Sequence, residues 1–203
     1  PVRLLADPAV RQTLERVAGA AVTERATSLT ADLPAEDAAL DALLAERAAA
    51  FDPAAASAER GAALFKPQCA ACHAIGGVGG SIAPQLDGVG VRGVERLCED
   101  VLAPNRNVDA AFRTVLLVLE DGRVLTGLPR RTEGETLILA DAEGKEFAVP
   151  AETVLDRADS PLSLMPSNVG ETLTPAQFTD LLAYLLDQRE PADPASADAS
   201  AEK

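Results

Sequence analysis

Cys69-Ala70-Ala71-Cys72-His73 sets two of the chain's three cysteines beside its only histidine. Three chemistries can use such a cluster. C-x-x-C-H is the signature of covalent c-type haem attachment. Two thiols one helical turn apart can add to the vinyl groups of neighbouring haem pyrroles, and the adjacent imidazole then faces the iron. A zinc site would draw on Cys69, Cys72, His73 and Cys98. Against it, His73 directly follows Cys72, and the second C-x-x-C or H-x-x-x-H pair of such sites is missing. A thioredoxin-like redox pair would want a βαβ setting, whereas a helical pattern precedes this motif and a glycine-rich stretch follows it.

The haem reading asks for a sixth ligand or an open position. Met165 is the single methionine of the chain, flanked by Leu164 and Pro166 in a Pro/Ser/Asn loop. A lone methionine is usually core filler; in this loop it reads better as a thioether ligand. No second histidine is present, so bis-histidine ligation from this chain is excluded. Cys98 shares an apolar helical face with Leu97 and Val101 and reads as a buried structural cysteine. Arg96, Arg106 and Arg113 could meet haem propionates or simply solvate the surface. Asn105–Asn107 reads as a turn.

These residues need elements to position them. Residues 1–52 read as two helices. Val10, Leu14, Val17, Ala18, Ala21 and Val22 follow one helical spacing, and a second helix opening near Pro34 carries Leu40, Leu43 and Leu44. Asp52-Pro53 breaks the pattern. Ser57 offers an N-cap for a helix through Phe65 towards Cys69. The loop over 74–93 holds Gly76, Gly77, Gly79, Gly80, Gly88, Gly90 and Gly93, so it must wrap closely around something. Val94, Leu97, Cys98, Val101 and Leu102 form one helical face ended by Pro104. From Ala111 the pattern turns to short β-like runs: "FRTVLLVLE", "RVLTGLPR", "ETLILA", "KEFAV" and "TVLDRA". Asp121-Gly122 and Glu143-Gly144 are hairpin signals between them, giving a small antiparallel sheet or barrel. A loop from Pro161 leads to a last helix with Thr174, Pro175 and Gln177 as N-cap, first-turn proline and capping-box partner. Its buried face is Phe178, Leu181, Leu182 and Leu185. Residues 190–203 read as a disordered tail.

Composition narrows the function. The chain has 203 residues, 47% apolar but only 3% aromatic, so its core rests on Leu, Val and Ala. A net charge of −14 argues against nucleic acid and against an anionic membrane surface. It fits a solvated surface, or a docking surface for a basic partner. No apolar run is long enough for a transmembrane helix. The chain starts at Pro1 without Met or a charged-then-apolar leader, which leaves the compartment open from this end.

The residues around the motif resemble class I cytochromes c. "GAALFKPQCAACH" spaces Gly61, Phe65 and Cys69 four apart as in that family's N-terminal helix. "DLLAYLL" is similar to its C-terminal helix, where Tyr184 would cross Gly61 and Phe65. "APQLDGVGVRG" resembles the loop after the haem motif. The resemblance implies that the Pro84 carbonyl accepts the N–H of His73, that Arg92 bonds a haem propionate, and that His73 and Met165 are the axial ligands. His73 and Met165 lie too far apart for a minimal cytochrome, and the strand-rich segment accounts for the excess. That layout is similar to the haem-binding domain of the Pirellula/Verrucomicrobium type. The closer match covers roughly 57–189 and rests on "VLAPNRNVDAAFRT", "DGRVLTGL" and "SLMPSNVGETLT".

The expected fold is therefore mainly α: a class I cytochrome c fold with a small antiparallel β insert and added N-terminal helices. The expected organisation is an N-terminal helical segment over 1–52, the end of an upstream helical region. A cytochrome core follows over 53–110 with the haem attachment, then a β-rich insert over 111–158. The core's second part spans 159–189 with the axial Met loop, and the tail is 190–203. The expected function is electron transfer by one covalent haem c, bound by Cys69, Cys72, His73, Pro84, Arg92 and Met165, with iron held by His73 and Met165. No catalytic residues are expected, since both axial positions are filled. The implied partner is a dehydrogenase domain or another cytochrome, with no nucleic acid and no membrane insertion by this chain, in the periplasm or an otherwise exported setting. The rivals are a haem-based ligand sensor or peroxidase-like enzyme, which would need Met165 to dissociate, and a pure interaction module.

Overall fold

A computed structural model describes Leu5 and residues 8–17, 19–30 and 36–189. The elements in chain order begin with α1 (Pro8–Val17), α2 (Ala20–Thr30), α3 (Glu36–Ala49) and α4 (Ala58–Gln68). A two-stranded hairpin, β1 (Ala74–Ile75) and β2 (Val78–Gly79), precedes α5 (Gly93–Leu102). Then come β3 (Arg113–Leu119), β4 (Val124–Glu133), β5 (Thr136–Ala140), β6 (Glu146–Pro150) and β7 (Val154–Ser163). The short α6 (Val169–Thr172) and the long α7 (Pro175–Asp187) follow. The chain divides into two compact units, one of the residues up to Ala39 with Val108–Met165, the other of Leu40–Asn107 with the residues from Pro166 on.

The first unit is a five-stranded antiparallel sheet in the order β6-β5-β4-β3-β7. Its most buried strand is β3, between β4 and β7, which is covered on both faces, and this is why "TVLLVL" is a continuous apolar run instead of an alternating one. On one face Val115, Leu117 and Leu119 pack with Leu139 and Val149, and Leu125, Leu137, Phe147 and Val154 close around them. On the other face Leu116 and Val118 meet Val10 and Leu14 of α1, and Arg16 pairs with Asp156 at 3.0 Å. Gly127 lets neighbouring side chains close over β4: a Cβ there would lie 3.0 Å from both Leu139 and the Phe147 ring. The tight turns follow their sequence signals. Gly122 sits at φ +83 after Asp121, whose carboxylate accepts the Arg123 N–H at 3.0 Å.

This architecture overturns the expectation of a mainly α fold with a small β insert. The five predicted strand runs are all present, but they form a sheet with a core on each face, and α1 covers one of them. The protein is α+β. Proline disguised the extent of the sheet. Pro129 lies at a register shift inside β4, and Pro161 lies within β7, an edge strand, both places where a missing N–H is tolerated. The expected strand runs end near both prolines, short of the observed strands. The single helix expected through Val10 and Val22 is also two helices, because Gly19 at φ +75 divides α1 from α2. The expected helix start near Pro34 and the tail over 190–203 lie outside the described residues.

The second unit is helical. Ser57 caps α4 by accepting the Arg60 N–H at 3.2 Å. α7 opens with a complete capping box between Thr174 and Gln177, with Pro175 in its first turn. α4 and α7 cross where Gly61 faces the backbone of α7. A Cβ at Gly61 would run into the Asp180 carbonyl and stand 2.7 Å from Tyr184 Cβ. The close approach stacks Phe65 against Tyr184 with ring centroids 5.4 Å apart at 55°. Asp180 is buried at the same crossing. Its carboxylate accepts the Ser57 N–H at 2.8 Å and both arms of the Arg60 guanidinium at 2.7 Å. One buried acid thus ties the start of α4 to the middle of α7.

Candidate functional site

The C-x-x-C-H motif continues the last turn of α4. The Cys69 N–H bonds the Phe65 carbonyl at 2.8 Å, and the N–H groups of Cys72 and His73 both return to the Cys69 carbonyl, at 3.1 and 2.9 Å. Cys69 and Cys72 are therefore one turn apart, the spacing that two neighbouring vinyl groups require. Both are half-buried.

The glycine loop wraps its own motif. Gly80 N–H bonds the Ala70 carbonyl at 2.9 Å, and a Cβ on Gly79 or Gly80 would collide with the carbonyl of His73 or of Ala71. No side chain fits there, so the β1–β2 hairpin lies directly on the motif's backbone. The returning chain adds bonds from Ala83 N–H to the Cys72 carbonyl and from Leu86 N–H to the Ala74 carbonyl, each 2.9 Å. Asp87 accepts the Gly76 N–H at 2.7 Å. Further on, Gly90 N–H bonds the Gln188 carbonyl at 2.8 Å, fastening the loop to the end of α7.

This path brings the Pro84 carbonyl 2.7 Å from His73 Nδ1. A carbonyl can only accept, so Nδ1 carries the proton and Nε2 keeps its lone pair. Burial lowers the His73 pKa, and the Pro84 bond opposes that shift. The ring is thus neutral near pH 7 and oriented by a backbone group, the state of a metal-ligating imidazole.

The thiols behave in the same sense. Burial, reinforced by Cys72, pushes Cys69 up to about 11. Redox-active C-x-x-C pairs depend on a depressed thiol pKa, and no strand leads into this motif, so a thioredoxin-like role has no support here. For zinc, no three His, Cys, Asp or Glu side chains converge on a metal position among the described residues. Haem c does fit these residues. The paired sulfurs, the imidazole with a fixed tautomer and the close seat of Gly79 and Gly80 on the motif's backbone meet its needs.

The structure brings Cys69, Cys72, His73 and Pro84 together. Arg92 makes a two-pronged bond to Asp100 at 2.6 and 3.1 Å. Met165 is half-buried, its N–H bonded to Ser163 Oγ at 3.1 Å, and it is the last residue of the sheet unit. Cys98 is fully buried, its thiol pushed to about 11 by burial. Arg96 pairs with Glu99 and Asp100, each at 3.0 Å. Arg106 pairs with Asp41 at 2.8 Å. Sequence reasoning missed Asp87, which takes the Gly76 N–H, and Asp180, which takes the Ser57 N–H and the Arg60 guanidinium, because folding alone brings these partners near. The glycines announced a close approach, but not that the approached surface was the motif itself.

No helix among the described residues is long and apolar enough to cross a membrane. No curated protein matches the chain. Residues 58–100 match the family model for cytochrome c, which supports a c-type cytochrome domain here, with the covalently bound haem c and haem-based electron transfer that characterise such domains.

Proposed function

We propose that this chain is a monohaem cytochrome of an exported, periplasmic-type setting. It would relay electrons between a dehydrogenase, fused or separate, and a second redox protein. The observation that carries the reading is the His73–Pro84 bond at 2.7 Å beside a one-turn Cys69/Cys72 pair. Cys69 and Cys72 would hold the haem by thioether bonds, with His73 Nε2 and the Met165 sulfur as axial ligands. The bound haem supplies a one-electron Fe(II)/Fe(III) couple, whose potential a thioether ligand raises. The chain's own part is to hold and shield. Pro84 fixes the imidazole tautomer and raises its basicity as a donor, and the buried Leu97 helps to exclude water. With two protein ligands committed, the domain would carry electrons without binding a substrate. The likeness to the Pirellula/Verrucomicrobium-type domain supports a role as a module of a larger exported protein. The net charge of −14 favours a partner with a basic face.

The purified protein, produced with c-type maturation, should give an alkaline pyridine haemochrome of c type at one haem per chain. Serine at both Cys69 and Cys72 should abolish covalent attachment. A parent protein with no Soret band under those conditions sinks the proposal. Met165→Ala should remove the sulfur-to-iron charge-transfer band and open the reduced protein to CO. An unchanged band would take Met165 out of the ligand set.

A further inference from the structure

Arg47 belongs to α3, ahead of the cytochrome segment, and its Nη1 is buried without a hydrogen-bond partner. Withdrawing a guanidinium nitrogen from water without an acceptor is costly, so such a group calls for an anion. Asp41 pairs with Arg106 at 2.8 Å. A Cβ at Gly170 would touch Leu43 and Leu102 together, at 3.8 and 3.0 Å. One turn further, the charge of Arg47 acts on Cys98. That thiol is not the missing anion, because burial keeps it protonated even beside Arg47.

The other arginines described in this unit are engaged. Arg60 bonds Asp180, Arg92 bonds Asp100, Arg96 bonds Glu99 and Asp100, and Arg106 pairs with Asp41. Arg189 bonds the Leu186 carbonyl. Arg92, the residue first expected at a propionate, is thus committed to a protein carboxylate, while Arg47 has a buried donor to give. A guanidinium is suited to a carboxylate by its planar fork of donors.

We infer that Arg47 Nη1 donates to a propionate carboxylate of the covalently bound haem, making a helix outside the cytochrome segment part of the haem's polar surroundings. This rests on the haem reading above. Arg47 is a positioning residue: it would fix the carboxylate and place a positive charge near the iron. A nearby cation disfavours the more positive oxidised state, so its removal should lower the midpoint potential.

The test uses the haem-loaded full chain, with Arg47→Leu, Arg47→Gln and Arg47→Lys. Haem content and the Soret band come first. Their loss from the parent itself would defeat the haem reading, whereas their retention isolates this inference. Arg47→Leu and Arg47→Gln should shift the spectroelectrochemical midpoint potential downward and move the propionate bending mode in resonance Raman spectra. Arg47→Lys should keep most of the potential but still move that mode, since an ammonium replaces the fork. The Lys variant retains the buried cation, so it remains informative if the neutral variants do not fold. Parent-like potentials and Raman spectra in the haem-loaded variants would overturn the assignment and leave Arg47 as an internal strut beside Cys98.

Discussion

The two units of this chain solve the same problem, a buried core, by opposite means. The sheet unit buries branched side chains on both faces of β3 and carries no histidine and no cysteine among its described residues. The unit with the haem motif gains its compactness by deleting side chains. Gly61, Gly79, Gly80 and Gly90 each let one backbone lie against another. Side-chain packing is redundant and tolerant, whereas backbone-on-backbone contact leaves no room for adjustment. The first arrangement should therefore stand without any prosthetic group. The second places its rigidity around Cys69–His73, where geometry decides chemistry.

The sharpest break of that comparison is Leu117→Ala. Leu117 is fully buried at the centre of β3. Truncating it should cost about 2–5 kcal/mol, read as a lower denaturant midpoint. Hydrogen exchange should speed up across 113–163, while the amides of 58–102 keep their protection and haem attachment is unaffected. Equal loss of protection in both segments would show that the units do not stand separately.

Much of this was legible in the sequence, for physical reasons that differ by element. Ser57, Thr174 and Gln177 act on neighbours three residues away, so their caps could be read directly. Asp-Gly at 121–122 likewise fixes its turn locally. Gly61, Phe65 and Tyr184 were legible only through resemblance, since their meeting spans more than a hundred residues. The size of the sheet was not legible. Pro129 and Pro161 looked like strand limits, and whether a proline is tolerated depends on bulge and edge positions that only the assembled sheet defines. The partner of α1 was hidden too. Val10 and Leu14 announced an apolar stripe but not that Leu116 and Val118 would receive it. Arg92 and Arg47 are the instructive pair at the site. The resemblance of the loop pointed to Arg92, which in the structure stands directly before α5 and bonds Asp100 two turns along that helix.

A smaller change tests the other side of the comparison. Gly61→Ala adds one carbon where the Asp180 carbonyl and Tyr184 already stand. The helices must separate, an overpacking cost of about 1–3 kcal/mol. Because α4 leads directly into Cys69, the shift should reach the site. Reduced yield of covalent haem and faster exchange over 58–69 are expected, with the sheet's exchange unchanged. A fully haem-loaded, parent-like Gly61→Ala protein would mean that the crossing is softer than its geometry implies.

The mildest test is a titration. Arg60 holds the Asp180 carboxylate below its ordinary value of 3.8, burial opposes the shift, and the Ser57 N–H adds to it. A depressed acid contributes stability that is complete above the unfolded value and is lost as pH falls through the lower folded value. The haem unit should therefore lose stability as pH drops below 3.8, through the window in which the unfolded chain takes up a proton and the folded one does not. Asp180→Asn removes this component. Its denaturation midpoint should lie below the parent's at pH 7, and the two curves should converge on acidification. The sheet unit serves as the internal reference, since Asp180 lies outside it. Curves that stay parallel down to the acid limit would show that the bonds from Ser57 and Arg60 do not set the stability of this crossing.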